Sequence, residues 1–343
     1  MTDNQVSLWM DGRVHEGWTS VAVDLNLDHL SGSFSLTLSD QYLRDGQLLR
    51  QPITEGGAST IKIDGETVIT GWVDKVTPSF SGEMHQVSVT GRDRAGDLLD
   101  CSAGMAEYLD QPMAAILTAL CRPFGVGVVV QTDTGLPFQR FAVNAGDTVG
   151  ECIERMCRQR GVMVWSDGLG SLVIGRGAVG RPVASLARGV NLLDASAEGD
   201  FTKRFSEIIV KASREGTDGM AAADVAQIEA RIKDPSVKRH RPKIIVPETH
   251  GEPVSLRERA DWEYRVEVGR SRKVTAKVQG WRHGAGLWRP GQTVSFADDW
   301  LGISGNWLVA NTALAKDGGG TTARLTLYPP GAFDRLAEAG KEW

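Results

Sequence analysis

Three carboxylates at the end of one alternating run are the residues of this sequence best spaced for chemistry. Asp93, Asp97 and Asp100 stand four and three residues apart, so a helical turn would bring them to one face. Two acids on one face can divide general acid and general base work between them, as in glycan hydrolysis. Arg92 and Arg94 are interleaved with the acids, and Leu98 and Leu99 follow as an apolar anchor. That mixture suits a charged corner engaged in surface or interface ion pairing, and it is read here in that sense rather than as a catalytic pair.

Other motifs carry less. Gly175-Arg-Gly177-Ala-Val-Gly180 spells a dinucleotide fingerprint with Asp194 nineteen residues on. The fingerprint requires a helix whose N-terminus faces the pyrophosphate, and Pro182 and Gly189 leave no amphipathic helix there, so the glycines read as an interdomain link. The basic run Lys238-Arg-His-Arg-Pro-Lys243 could contact phosphates. It lacks interleaved aromatics and sits in a stretch, 214–265, with ten acids and ten bases, so it reads as a solvated or partner-facing loop. Cys101, Cys121, Cys152 and Cys157 show no C-x-x-C spacing and are expected as small, reduced core residues. His15, His29, His85, His240, His250 and His283 are scattered, so no sequence-local metal triad is formed. No zinc-protease, phosphate-loop or nucleophile-elbow motif occurs. No catalytic, cofactor-binding or metal residue is expected, and no cofactor.

The chain of 343 residues is long enough for two or more cores. A net charge of -5 without a basic tract argues against a protein that grips nucleic acid. No apolar run approaches the roughly 20 residues that span a bilayer, so no membrane insertion is expected. The opening Met-Thr-Asp-Asn-Gln lacks the parts of a signal peptide, which implies folding in the cytoplasm. Charge is uneven: residues 1–97 hold 14 acids against 7 bases, while 266–330 hold 4 against 8. Such opposite signs could attract between neighbouring subunits or be satisfied within one.

Residues 1–97 read as all-β. Val6, Leu8 and Met10 alternate, Asp11-Gly12 predicts a hairpin turn, and Trp18, Val21 and Val23 are expected to carry the return. Phe34, Leu36 and Leu38 form another strand; further strands are expected at 61–63, 68–76 and 86–90, with a turn at Asp64-Gly65. Short strands between glycine and aspartate turns imply a small barrel or closed sandwich. From Asp110 the period changes. Met113, Ile116, Leu117 and Leu120 predict one helix after Pro112, and the capping box Thr148-Val-Gly-Glu151 opens a second that Gly161 ends. A strand at 126–130 and a hairpin about Asp167-Gly168 complete an α+β unit. Strand character returns at 201–213 through Ile208 and Val210. An alanine-rich helical pattern with Val225, Ile228 and Ile232 follows, then a second capping box, Ser255 to Glu258, that opens another helix. From Lys273 strands resume, and Trp281, Trp288, Trp300 and Trp307 are expected mainly as core. Gly71-Trp72 to Val89 and Trp307 to Leu327 share one pattern, a tryptophan-led strand, a polar turn and an alternating partner, a faint sign of duplication.

The segments "TGRDRAGDLLDCSA", "TVGECIERMCRQRGVMVWSDGLGSLVI", "FTKRFSEIIVKA", "GWRHGAGLWRPGQTVSF", "GISGNWLVANTAL" and "GGGTTARLTLYPPGAF" resemble, in this order, the Mu-like phage tail baseplate hub proteins. The resemblance covers nearly the whole chain. It implies a mainly β fold with α+β insertions: two tube-like β-barrel domains plus two smaller inserted units. The expected divisions are 1–97 for the first barrel and 98–178 for the α+β unit. The second barrel takes 179–213 with 266–330, around an inserted excursion at 214–265, and 331–343 forms a tail. The implied function is structural: a homotrimer adapting a six-fold tail tube to a three-fold spike, with DNA passing through the channel without specific binding. The implied partners are the tube protein, the central spike and other baseplate proteins, met during assembly in the host cytoplasm and kept in the virion baseplate. Two alternatives remain open, a tail-associated peptidoglycan hydrolase using Asp93 and Asp97, and a secretion-system spike component of related fold. Clearing of cell wall in a zymogram that is lost on Asp97→Asn would favour the hydrolase.

Overall fold

In the computed structural model the chain is described over residues 4–39, 43–44, 47–48, 53–82, 84–175, 180–212, 228–246, 253–284 and 286–333. Alternation sets the first strands. Val6–Met10 (β1) buries Val6, Leu8 and Met10 and turns Trp9 outward. Asp11 and Gly12 both take positive φ, 50° and 73°, a pairing whose twist matches that of the strands it joins. The return is Arg13–His15 (β2). Trp18, Val21 and Val23 do not supply it. The latter two belong to Ser20–Asn26 (β3), which pairs instead with Ser33–Ser39 (β4). The two-residue strands Leu43–Arg44 (β5) and Gln47–Leu48 (β6) pair with each other. Ala58–Ile63 (β7) turns at Asp64-Gly65 into the 16-residue Glu66–Ser81 (β8), whose partner is Met84–Asp93 (β9).

The next unit has its own core. Gly96–Asp100 (α1) leads to Glu107–Gln111 (β10), Met113–Cys121 (α2), Gly127–Val130 (β11), Phe138–Ala142 (β12), Val149–Arg160 (α3), Met163–Ser166 (β13) and Ser171–Gly175 (β14). Helix α2 buries Met113, Ile116, Leu117 and Leu120, the stripe its spacing predicts. Helix α3 opens with both bonds of the capping box: Glu151 N donates to Thr148 Oγ1 at 3.1 Å, and Thr148 N donates to Glu151 Oε2 at 2.7 Å. Gly161, at φ 58°, closes it. Strand β14 lies between β11, parallel to it, and β13, antiparallel. Replacing Thr148 with alanine is expected to lower stability by about 1 kcal/mol, read by urea denaturation, because an N-terminal donor of α3 loses its acceptor.

The last third holds Ala184–Leu186 (β15), Leu192–Gly199 (β16), Glu207–Ala212 (β17), Ile228–Lys233 (β18), Pro242–Ile245 (β19), Pro253–Arg270 (α4), Arg272–Gln279 (β20), Arg282–His283 (β21), Gly286–Leu287 (β22), Thr293–Phe296 (β23), Asn306–Asp317 (β24) and Gly320–Tyr328 (β25). Two expectations change here. Strand β17, expected in the second barrel, lies in a separate three-stranded sheet with β18 and β19. Ile228 and Ile232, expected on a helix, belong to strand β18, because Ala230 and Ile232 also alternate and pack with Val210. Val225, and the side chains of Ser255 and Glu258, lie outside the described residues.

Thirteen strands form one sheet in the order β16-β20-β25-β24-β3-β4-β9-β8-β7-β1-β2, with β23 on β24 and β15 on β23. Two tube-like barrels were expected; among the described residues this pairing runs from β16 to β2 without closing. The reason is that β3 offers its second edge to β24, with Asn26 opposite Asn311 and Val21 opposite Lys316, so the two β modules are fused edge to edge. One apolar cluster accordingly runs through both, from Val6 and Leu8 to Leu325 and Leu327. Trp281, Trp288 and Trp307 are buried in it, whereas Trp300 is 86% exposed. Cys121 and Cys152 are buried, and burial pushes their thiols up to about 12 and about 11. Cys101, expected in the core, is exposed because α1 ends at Asp100 and releases the chain at the surface.

Candidate assembly site at the module junctions

The charged corner after β9 is a joint. Asp93 is 0% exposed. Its carboxylate accepts hydrogen bonds from Ser31 Oγ at 2.8 Å, Gly32 N at 2.7 Å and Ala95 N at 3.0 Å, and a further one from the Ser166 side chain. These donors come from the turn before β4, the entry to α1, and the end of β13. One buried acid therefore ties the first β module to the α+β unit. Burial pushes the Asp93 carboxyl above the usual range, against the four hydrogen-bond donors that favour its charge. Arg92 bridges Asp74 at 2.8 Å and Asp100 at 2.6 Å, and its hydrogen bond holds the Asp100 carboxyl below the usual range. Arg94 donates to the Gly125 carbonyl at 3.3 Å, again reaching into the α+β unit. Asp97 is only partly buried. The three acids thus occupy different surroundings, with Asp93 sealed and Asp100 committed to Arg92.

The same joint depends on backbone closeness. Gly168 lies at φ 76°, and a Cβ there would sit 2.6 Å from the Val68 carbonyl. Its own carbonyl accepts from Thr70 N at 2.7 Å, so the tip of the β13–β14 hairpin rests directly on β8. Only glycine meets both demands.

A second joint links the two β modules. Asn311 Nδ2 donates to both Asp24 oxygens, at 3.0 and 3.1 Å, across the β3–β24 seam. Glu66 receives Arg282 at 3.1 Å and Arg289 at 3.0 Å, and Arg270 pairs with Asp28 at 2.8 Å. Burial would raise the Glu66 carboxyl, but the hydrogen bonds and charges of Arg289 and then Arg282 hold it below the usual range. Acids of 1–97 therefore meet bases of 266–330 within one chain. Partly exposed pairs of this kind contribute about 0–1 kcal/mol each, so they align the seam more than they hold it.

The tryptophan-led pattern has a structural counterpart. Hairpins β8–β9 and β24–β25 each carry a register shift just after the leading tryptophan, between Val73 and Lys75 and between Val309 and Asn311. Both hairpins thus depart from regular pairing within a few residues of the tryptophan that leads them.

Other sequence motifs fall apart in space or outside description. Residues 176–179 of the glycine fingerprint lie outside the described residues, and Asp194 sits on the exposed strand β16. Among the described residues no three His, Cys, Asp or Glu side chains are placed to hold a metal ion, and no helix is long and apolar enough to cross a membrane. The basic run does have aromatic neighbours: Arg239 lies 5.2 Å from the Phe201 ring centre, and Arg241 and Lys243 lie 5.6 and 5.4 Å from Phe205. They come from more than thirty residues upstream, beyond any local pattern.

Comparison with known proteins follows the same modules. Residues 5–93 match the family model of the Mu phage baseplate assembly protein GpP-like N-terminal domain. Residues 95–176 match the second domain of baseplate hub protein gp44-like proteins, and 252–336 the fourth domain of GpP. Baseplate hub protein gp44 of Escherichia phage Mu is 30% identical over 342 residues, covering 96% of this chain and 89% of that one. The chain belongs to the Mu-like baseplate hub family. Among solved structures, the 43 kDa tail protein of prophage MuSo2 from Shewanella oneidensis shares 33% identity with a TM-score of 0.87, covering 96% of this chain and 99% of that one. The tail protein of Neisseria meningitidis MC58 shares 25% with a TM-score of 0.83, covering 96% and 97%. The fold of this hub also recurs, at 10% identity and a TM-score of 0.58, in the Escherichia coli c3393 protein, a type VI secretion component, over 96% and 79% of the two chains. This hub is thus a structural component of a phage tail, like the baseplate hub and tail proteins it matches.

Proposed function

We propose that three copies of this chain form a ring that joins a six-fold tail tube to a three-fold spike and leaves a channel for DNA. The observation that carries this reading is the fusion of two β modules, each with a bulged tryptophan-led hairpin, into one sheet. Three such chains offer six similar modules on one face and three α+β units elsewhere, which is the arithmetic an adaptor between the two symmetries needs. The rigid joints at Asp93 and along β3–β24 keep the modules in fixed relation, as a load-transmitting ring requires. A net charge of -5 opposes retention of DNA in the channel. The tube, spike and other baseplate proteins are the partners of this reading, and assembly takes place in the host cytoplasm. The hydrolase alternative gains no support from Asp93, which is sealed from any glycan. The expected result in solution is a mass three times that of the 37.1 kDa chain, measured by light scattering across concentration. A monomer at every concentration, including in the presence of the tube protein, refutes the ring.

A further inference from the structure

The inserted sheet presents a cationic turn that the joints described above do not use. The turn between β18 and β19 is pinned at both ends. Asp234 is buried and accepts from Arg204 Nε at 2.9 Å and from Ser236 N and Oγ at 2.9 and 2.6 Å. At the other end Arg241 donates to the Arg204 and Thr202 carbonyls at 3.1 and 3.0 Å, and its backbone N–H donates to Ser206 Oγ at 3.0 Å. Between these anchors Lys238, Arg239 and His240 are all exposed, and among the described residues none has an ion-pair partner. Arg239 lies over the ring of Phe201, a residue 46% exposed.

Strand β19 continues this surface. Lys243 points inward to Glu263 and Glu267, at 3.3 and 2.5 Å, and Ile245 packs toward α4. The alternate residues Ile244 and Val246 face out, 58% and 74% exposed. Among the described residues β19 pairs with β17 alone, and no described strand lies on its other edge. An open edge with outward apolar residues is a template for another strand.

We propose that this turn and the β19 edge dock an extended acidic segment of another protein, its carboxylates on Lys238 and Arg239 and its apolar side chains on Phe201, Ile244 and Val246. Charge complementarity selects the occupant: cations without an ion-pair partner among the described residues, on a turn whose backbone is already pinned, attract carboxylates without the cost of ordering the loop. A nucleic-acid strand fits less well. It needs cations spaced along a groove, whereas here they stop at one turn and an apolar edge follows, on a chain of net charge -5.

The test uses the full chain and two fluorescent probes at low salt, a peptide of alternating glutamate and valine and a single-stranded oligothymidine, followed by anisotropy. The peptide is expected to bind, with affinity reduced at least about tenfold in Lys238→Glu/Arg239→Glu and clearly weakened in Ile244→Glu. All three side chains are exposed, so melting curves should match the parent. The proposal is overturned if the oligothymidine binds more tightly and is lost in the same double variant, if neither probe binds, or if both variants bind the peptide unchanged. The outcome is independent of whether the chain forms a trimer.

Discussion

Asp93→Ala is expected to lower the unfolding free energy by about 3–5 kcal/mol in urea denaturation. The substitution leaves the Gly32 and Ala95 amides and the Ser31 hydroxyl without their acceptor inside a sealed site, and each unmet buried donor costs about 1–3 kcal/mol. Loss of the joint should also uncouple the first β module from the α+β unit, giving two unfolding steps where the parent shows one. The acid behaviour has a definite sign. Burial raises the Asp93 carboxyl in the folded chain, so the folded state holds that proton more tightly than the unfolded state. The titration's contribution is full below the ordinary aspartate range and is lost as pH rises through the raised folded value. Asp93→Asn lacks this titration. The stability gap between parent and Asp93→Asn should therefore grow in the parent's favour as pH falls through that window; a constant gap would show that folding leaves the proton affinity of this carboxyl unchanged.

Trp281→Ala is expected to destabilise the second β module by about 3–5 kcal/mol, the usual range for emptying a buried tryptophan site. Trp281 is fully buried in the cluster that spans both modules, and its indole N–H donates to the Ala315 and Thr322 carbonyls, both at 3.1 Å. These carbonyls belong to β24 and β25, the hairpin next to the seam. A cavity there loosens β24 against β3, so under the proposed ring the variant should also show less trimer mass than the parent at equal concentration. Trp281→Phe retains most of the volume and should lose about 1–2 kcal/mol, mainly the indole hydrogen bonds. Equal losses for the two variants would mean that polar pairing, not packing, holds this site.

Much of the local structure was legible before any fold was known. Val6, Leu8 and Met10, or Met113, Ile116, Leu117 and Leu120, declare strand and helix because backbone period decides which side chains can share a face. The capping box at Thr148 and Glu151 was legible for the same reason, since both its bonds close within three residues. Ile228 and Ile232 misled because three- and four-residue spacing in a short apolar stretch fits a helix, while Ala230, a weak apolar marker, hid the period of two. The role of Asp93 was missed because two of its partners, Ser31 and Gly32, lie about sixty residues upstream. The aromatic neighbours of Arg239 and Arg241 were missed on the same ground.

The order of residues alone determined the alternating faces, the helix ends, the tight turns at Asp11-Gly12 and Asp64-Gly65, and the likeness to a hub family spread along the chain. Only the tertiary structure decided which edge each strand presents to which neighbour. It sent β3 to β24 rather than back to β1, moved β17 into the inserted sheet, and turned a row of spaced acids into one sealed anchor and one surface pair. The physical reason is that side-chain direction follows from neighbours along the backbone. Strand partners and burial are settled by the free energy of joining edges hundreds of residues apart, and no local pattern records that choice.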